Sequence, residues 1–131
     1  MTFSEVIGQK EVIARLQQMV EENHLPHAMM LCGPQGVGKK ALAVAFACYL
    51  LSLKDSKYPK DLPESPMLAK LEHPDLHFTF PTIKLASMGS EHMPISDDFI
   101  SEWRSLLLNS PYFGMDQWMT AIGEPVPGWQ T

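Results

Sequence analysis

The stretch LCGPQGVGKK, residues 31–40, decides the fold expected of this chain. From Gly33 to Lys39 it keeps the Gly-x-x-x-x-Gly-Lys spacing of a phosphate-binding loop. In that pattern the next residue is Ser or Thr, whose hydroxyl binds magnesium, whereas here it is Lys40. The stretch therefore predicts a backbone that cradles phosphate without the residue that positions a metal ion for hydrolysis.

The residues expected to contact phosphate follow from the physical chemistry of such a loop. Backbone N–H groups converge on phosphate oxygens, glycine lets the backbone approach closely, and the helix that follows adds partial positive charge. No catalytic residue is predicted, because hydrolysis also needs magnesium, an acidic residue after another strand and an oriented water. The predicted nucleotide- or phosphate-binding residues are Gly33, Gln35, Gly36, Val37, Gly38, Lys39 and Lys40.

Hydrophobic patterning around the loop predicts an α/β fold of the P-loop NTPase type. The apolar residues 28–32 indicate a buried strand, and residues 38–51 indicate a helix that is apolar nearly all round and must be covered on several sides. A second buried strand is expected at residues 76–80. Strand, glycine loop and helix in this order predict a truncated three-layer core with a short parallel sheet.

Helical spacing and capping residues predict the remaining elements. An amphipathic helix is expected at residues 9–22, ended by Asn23 and Pro26, and a short helix at 67–71 after the Ser65-Pro66 cap. Ser96 is expected to cap a further helix, followed by a last one at 115–122. We expect one domain at residues 1–122, with 52–72 as an excursion from its core and 123–131 as a flexible tail.

Composition restricts the class of protein. The chain has 131 residues, 45% of them apolar, which is typical of one globular domain. Its net charge of -5 does not favour non-specific nucleic-acid binding. The absence of a signal peptide and of a long apolar run predicts a cytoplasmic protein with no membrane partner. Cys32 and Cys48 lie in apolar segments and are expected in the core, as are Trp103 and Trp118.

Several short motifs together resemble one family. They are FSEVIGQ at residues 3–9, His27-Ala28, GVGKKA at 36–41 and HPDL at 73–76. The chain resembles, from Phe3 to about Trp118, the delta-prime subunit of the bacterial DNA polymerase III clamp loader, which is an AAA+ family. The resemblance implies a stator or assembly role in DNA replication, with other clamp-loader subunits as partners and the sliding clamp and primer-template DNA as indirect ones. It also implies that Val6 and Ile7 contact adenine.

The chain departs from this family in two respects. The family carries a four-cysteine zinc module between the loop helix and His-Pro-Asp, but residues 52–72 contain no cysteine. We therefore predict no zinc and no other metal site, and leave ATP, phosphate or sulfate at the loop as the candidate ligand. The sequence also ends at Thr131, before a Walker B strand and a Ser-Arg-Cys segment, so we expect the first part of a longer subunit.

Other interpretations of the same residues stay open. The loop could belong to an active P-loop ATPase that tolerates Lys40, to a small phosphoryl-transfer enzyme, or to a glycine turn that binds nothing. Enzymatic activity is therefore uncertain, although the holoenzyme of the resembled family is a DNA-directed DNA polymerase. Finally, two strands without their neighbours would expose unpaired backbone groups, and the helix at residues 41–51 would lose part of its cover. Together these two defects predict self-association or a rearranged core.

Overall fold

The computed structural model describes residues 1–55 and 65–123, apart from the side chain of Asp55, and its regular structure is helical. Its α-helices are α1 (Lys10–Glu21), α2 (Lys39–Asp55), α3 (Pro66–Ala69), α4 (Ile100–Asn109) and α5 (Met115–Ala121). Short 3-10 helices lie at Phe3–Glu5 and Ser96–Phe99, the second running directly into α4. The chain forms two compact units, Met1–Leu76 and His77–Thr131, which are described separately.

The predicted α/β fold with a parallel sheet is wrong, because none of the described residues forms a strand. Residues 28–32 and 76–80, both expected as buried strands, have no regular structure. A strand exists only where a neighbouring strand pairs with its backbone N–H and C=O groups, and no described segment does so here. Residues 28–32 are mostly exposed as well: the side chain of Met30 is 85% exposed, and Cys32, expected in the core, lies at the surface.

The predicted helices are confirmed to within a few residues, because their signals are local. Helix α1 ends at Glu21, and the chain turns away at Asn23, which adopts a left-handed conformation (φ 55°) while the N–H of His24 donates to the carbonyl of Met19 at 2.9 Å. Helix α3 begins after Ser65, whose hydroxyl accepts the N–H of Leu68 at 3.3 Å.

Helix α2 is central to unit Met1–Leu76. Phe3 of the first 3-10 helix packs on α2, with ring centroids 6.5 Å from Phe46 and 5.2 Å from Tyr49. This contact covers one side of α2, and cover on several sides stays a prediction for this helix. Its buried residues are Ala41, Leu42, Val44, Ala45, Phe46 and Cys48.

An aromatic cluster forms the core of unit His77–Thr131. The Trp103 ring stacks on Phe80 with centroids 4.4 Å apart and meets Trp118 edge to face at 5.1 Å, which joins α4 to α5. The indole N–H of Trp118 donates to the carbonyl of Pro81 at 2.8 Å. Trp118 is thus a core residue, as predicted, while Trp103 is partly buried and packs against the same cluster.

None of the helices among the described residues is long and apolar enough to cross a membrane. The predicted tail at 123–131 lies outside the described residues from residue 124 on. The middle of the predicted excursion, at 56–64, also lies outside them.

Candidate functional site

The backbone of the glycine loop has the left-handed positions that a phosphate cradle requires. Gly36 and Gly38 have φ angles of 88° and 91°, a region that glycine enters without steric cost. Val37 between them does not have a positive φ, so the chain alternates in handedness. Such alternation turns successive N–H groups toward one concave side, where an anion can bind.

Helix α2 begins directly at the end of this loop. The carbonyl of Gly38 accepts the first helical hydrogen bond, from the N–H of Leu42 at 2.9 Å. The N–H groups of the first turn, which have no acceptor within the helix itself, and their partial positive charge therefore lie beside the loop. This arrangement is favourable for phosphate.

The predicted phosphate-binding residues are brought together within one short segment. Gly33 and Gln35 are exposed, whereas Val37 and Lys39 are partly buried. A Cβ atom at Gly33 would lie 3.2 Å from Cγ2 of Val37, a tight approach that glycine avoids. Phosphate binding by these residues stays a prediction.

The Lys39 side chain lies along its own loop. Its ammonium donates to the carbonyl of Gly33 and, at 3.2 Å, to that of Pro34. A phosphate bound by Lys39 would exchange these neutral acceptors for a charged one, and hydrogen bonds to a charged acceptor are roughly twice as strong.

Lys40 is partly buried at the position where the loop pattern has a hydroxyl. Burial removes its ammonium from water and lowers the pKa of Lys40 below the ordinary lysine value. A protonated amine has no lone pair, so Lys40 in this form cannot be a magnesium ligand. It instead adds a second cationic side chain directly after Lys39 in the sequence.

Gln9 contacts the loop and was not predicted as a site residue. Its side-chain amide donates to the carbonyl of Val37 at 3.0 Å, across 28 residues of sequence. The only signal in the sequence was its place at the end of the FSEVIGQ motif.

The two candidate adenine contacts have different environments. Val6 is buried with 7% of its surface exposed, whereas Ile7 is 75% exposed. Gly8 and Gln9, which follow them, both have positive φ angles of 70° and 58°. Ile7 is therefore open to a ligand from solvent, while Val6 belongs to the core, and an adenine contact stays a prediction for both.

Metal-ligating side chains do not cluster in the part of the chain that the structure describes. No group of three or more His, Cys, Asp or Glu residues within these ranges could hold a metal ion. The prediction that no zinc is bound stays open, because residues 56–64 of the predicted excursion lie outside those ranges.

Comparison with known proteins identifies relatives that match segments of this chain. A 46-residue segment is 50% identical to the replication factor C small subunit of Archaeoglobus fulgidus, covering 35% of this chain and 14% of that protein. A 46-residue segment is 41% identical to the DNA polymerase III subunit tau/gamma of Haemophilus influenzae, covering 35% of this chain and 7% of that protein. A 61-residue segment is 34% identical to the replication factor C small subunit of Staphylothermus marinus, covering 47% of this chain and 18% of that protein.

The chain thus matches only a small part of the length of each of these relatives. No solved structure matches the chain significantly. The family model described as "DNA polymerase III, delta subunit" matches residues 8–121, which is most of the chain. The resemblance to a DNA polymerase III clamp-loader subunit is confirmed at this level, while the narrower delta-prime assignment stays a prediction. The chain belongs to the DNA polymerase III, delta subunit family of DNA replication proteins.

Proposed function

We propose that this chain is part of a delta-prime-like, cytoplasmic clamp-loader subunit that binds a phosphate group at residues 33–40 but does not hydrolyse nucleotide. The single observation that supports this most strongly is the combination of a complete glycine loop with Lys40 in place of the magnesium-binding hydroxyl. The loop backbone and Lys39 supply phosphate binding, and the missing hydroxyl weakens the metal site on which hydrolysis depends.

The nucleotide, ATP for instance, would then have a structural role. A bound phosphate would bridge the loop and the first turn of α2, and ligand binding to the folded state stabilises it. Sulfate or inorganic phosphate would occupy the same place with fewer contacts. Adenine recognition would involve Ile7 through its exposed side chain.

Phosphate release in the presence of ATP and magnesium tests the absence of hydrolysis. We expect release at the buffer rate from the unaltered chain and from Lys39→Ala alike. Release above buffer that disappears in Lys39→Ala would contradict the proposal and support the alternative of an active ATPase. The Lys39 variant excludes a contaminating enzyme, since contamination does not depend on this residue.

An assembly role is supported by apolar side chains that the fold leaves at the surface. Leu25, Met29 and Met30 in the segment before the loop are 39%, 41% and 85% exposed. Neighbouring apolar side chains at a surface are typical of contact sites between proteins. We propose other clamp-loader subunits as the partners, with the sliding clamp and primer-template DNA contacted only through the assembled loader.

The predicted self-association depended on two unpaired strands and on incomplete cover of the helix at residues 41–51. None of the described residues forms a strand, so the first of these two grounds is gone. Light scattering on the chain alone shows whether it self-associates. Light scattering on its mixture with clamp-loader subunits shows whether it forms a complex with them. We expect the mixture to give a complex that Met30→Lys weakens. A complex unaffected by this charge would contradict a role of the segment in assembly.

A further inference from the structure

We propose that Gln9 is a positioning residue for the phosphate-binding loop, acting through the carbonyl of Val37. The inference rests on the proposed function and concerns how the loop reaches its binding-competent conformation. The supporting geometry is the 3.0 Å hydrogen bond from the Gln9 amide to the Val37 carbonyl oxygen, which is partly buried.

The consequence of this bond follows from the planarity of the peptide unit. The carbonyl of Val37 and the N–H of Gly38 belong to the same peptide, and the described chain has no cis peptide bond. In a trans peptide these two groups point in opposite directions. Gln9 holds the Val37 carbonyl on the side of the peptide that faces Gln9, and so directs the Gly38 N–H to the opposite side. This N–H is one of the donors that the loop pattern supplies to phosphate.

The loop needs such a restraint because glycine does not supply one. Gly38 has a φ of 91°, but glycine occupies positive and negative φ about equally well. The peptide between Val37 and Gly38 can therefore rotate at low cost and turn its N–H away. A hydrogen bond to the carbonyl selects one of the two orientations before any ligand arrives.

Gln9 is itself held in a fixed place. Its backbone is left-handed (φ 58°), and its carbonyl accepts the N–H of Ile13 at 2.9 Å at the start of α1. A left-handed residue that is not glycine persists only where the surrounding structure determines it. The side chain thus connects the first turn of α1 to the loop that precedes α2.

The test replaces Gln9 by Met, which has similar length and no charge but cannot donate. The matched control is Gln18→Met, because Gln18 lies in α1, which Gln9 directly precedes, and its side-chain amide donates to Glu22 at 2.9 Å and not to the loop. Gln9→Asn is the second variant: it tolerates a left-handed backbone better than Met and is too short to reach Val37. ATP in the presence of a chelator is the probe, measured by calorimetry, and thermal unfolding confirms that each variant is folded.

We expect Gln9→Met and Gln9→Asn to weaken ATP binding about threefold to tenfold, as for the loss of one hydrogen bond, and Gln18→Met to bind normally. In spectra without ligand, the Gly38 amide signal should shift in both Gln9 variants and not in the control. Unchanged affinity, or an unshifted Gly38 amide, in a folded Gln9 variant would overturn the positioning role and leave the proposed function intact. No binding by the unaltered chain would overturn the proposed function and this role together.

Discussion

The Ser96 hydroxyl makes two hydrogen bonds to the backbone of Phe80: it accepts the N–H at 3.0 Å and donates to the carbonyl at 3.1 Å. Phe80 ends the segment expected to be a strand. One side chain here satisfies both backbone groups that a neighbouring strand would otherwise pair. Ser96 was expected to cap a helix, but the capping interaction is made by the Asp98 carboxylate, which accepts the N–H of Ile95 at 2.9 Å.

Replacing Ser96 by Ala should lower the free energy of unfolding of this unit by about 1–3 kcal/mol, because two partly buried backbone groups lose their partner. Denaturant unfolding followed by tryptophan fluorescence measures the change. Ser101→Ala, at an exposed position of α4, is the control and should change stability by less than about 0.5 kcal/mol. Equal effects of the two substitutions would show that the pair of bonds does not stabilise the fold.

The difference between predicted helices and predicted strands has a physical cause. Helix signals such as the left-handed Asn23 and the Ser65 cap lie within a few residues of the bonds they make. A strand depends on a partner that is distant in sequence, so apolar runs at residues 28–32 and 76–80 indicate hydrophobicity but not pairing. Without a partner, the first run stays largely exposed and the second is held by Ser96.

The loop could be predicted from spacing because glycine permits the left-handed positions that such a loop uses. The left-handed conformations of Gly36 and Gly38 agree with that prediction. The contact of Gln9 with Val37 could not be predicted in the same way, since it joins residues 28 positions apart. Cys32 was wrongly placed in the core because its burial was inferred from a strand that does not form.

A substitution at Gly36 tests the loop backbone without introducing a steric clash. Its φ is 88°, and a Cβ atom there would meet nothing within 4 Å. Gly36→Ala should therefore lower the free energy of unfolding by about 1–2 kcal/mol, because alanine is strained in the left-handed conformation, and it should also weaken anion binding. Gly89→Ala, where a Cβ also meets nothing within 4 Å and the backbone is not left-handed, is the control and should be neutral or slightly stabilising. Thermal unfolding of both variants measures this, and an unchanged stability of Gly36→Ala would contradict the loop conformation.

Asp98 predicts a specific loss of stability in acid. The backbone N–H of Ile95 first, and then the ring of His92, stabilise the carboxylate and lower the pKa of Asp98 below its ordinary value of 3.8. Since the folded pKa is the lower one, the carboxylate contributes stability above pH 3.8, and this contribution is lost as the pH falls through the folded value.

Asp98→Asn should therefore reduce stability at neutral pH and make the remaining stability less dependent on pH below 3.8. Asp97→Asn, at the adjacent exposed carboxylate, is the matched control. Urea unfolding at a series of pH values measures both variants. If Asp98→Asn kept the full acid dependence of the unaltered chain, the assigned role of this carboxylate would be wrong.

Calorimetric titration of ATP, once with a chelator and once with magnesium, tests most directly whether this loop binds phosphate without a metal ion. We predict binding in the chelator that magnesium does not strengthen, and a loss of about tenfold or more in Lys39→Ala, which removes a charged donor. Lys40→Thr, which restores the hydroxyl of the loop pattern, should make binding stronger with magnesium than without it. Absence of binding in both titrations, or binding by the unaltered chain only when magnesium is present, would contradict the proposal.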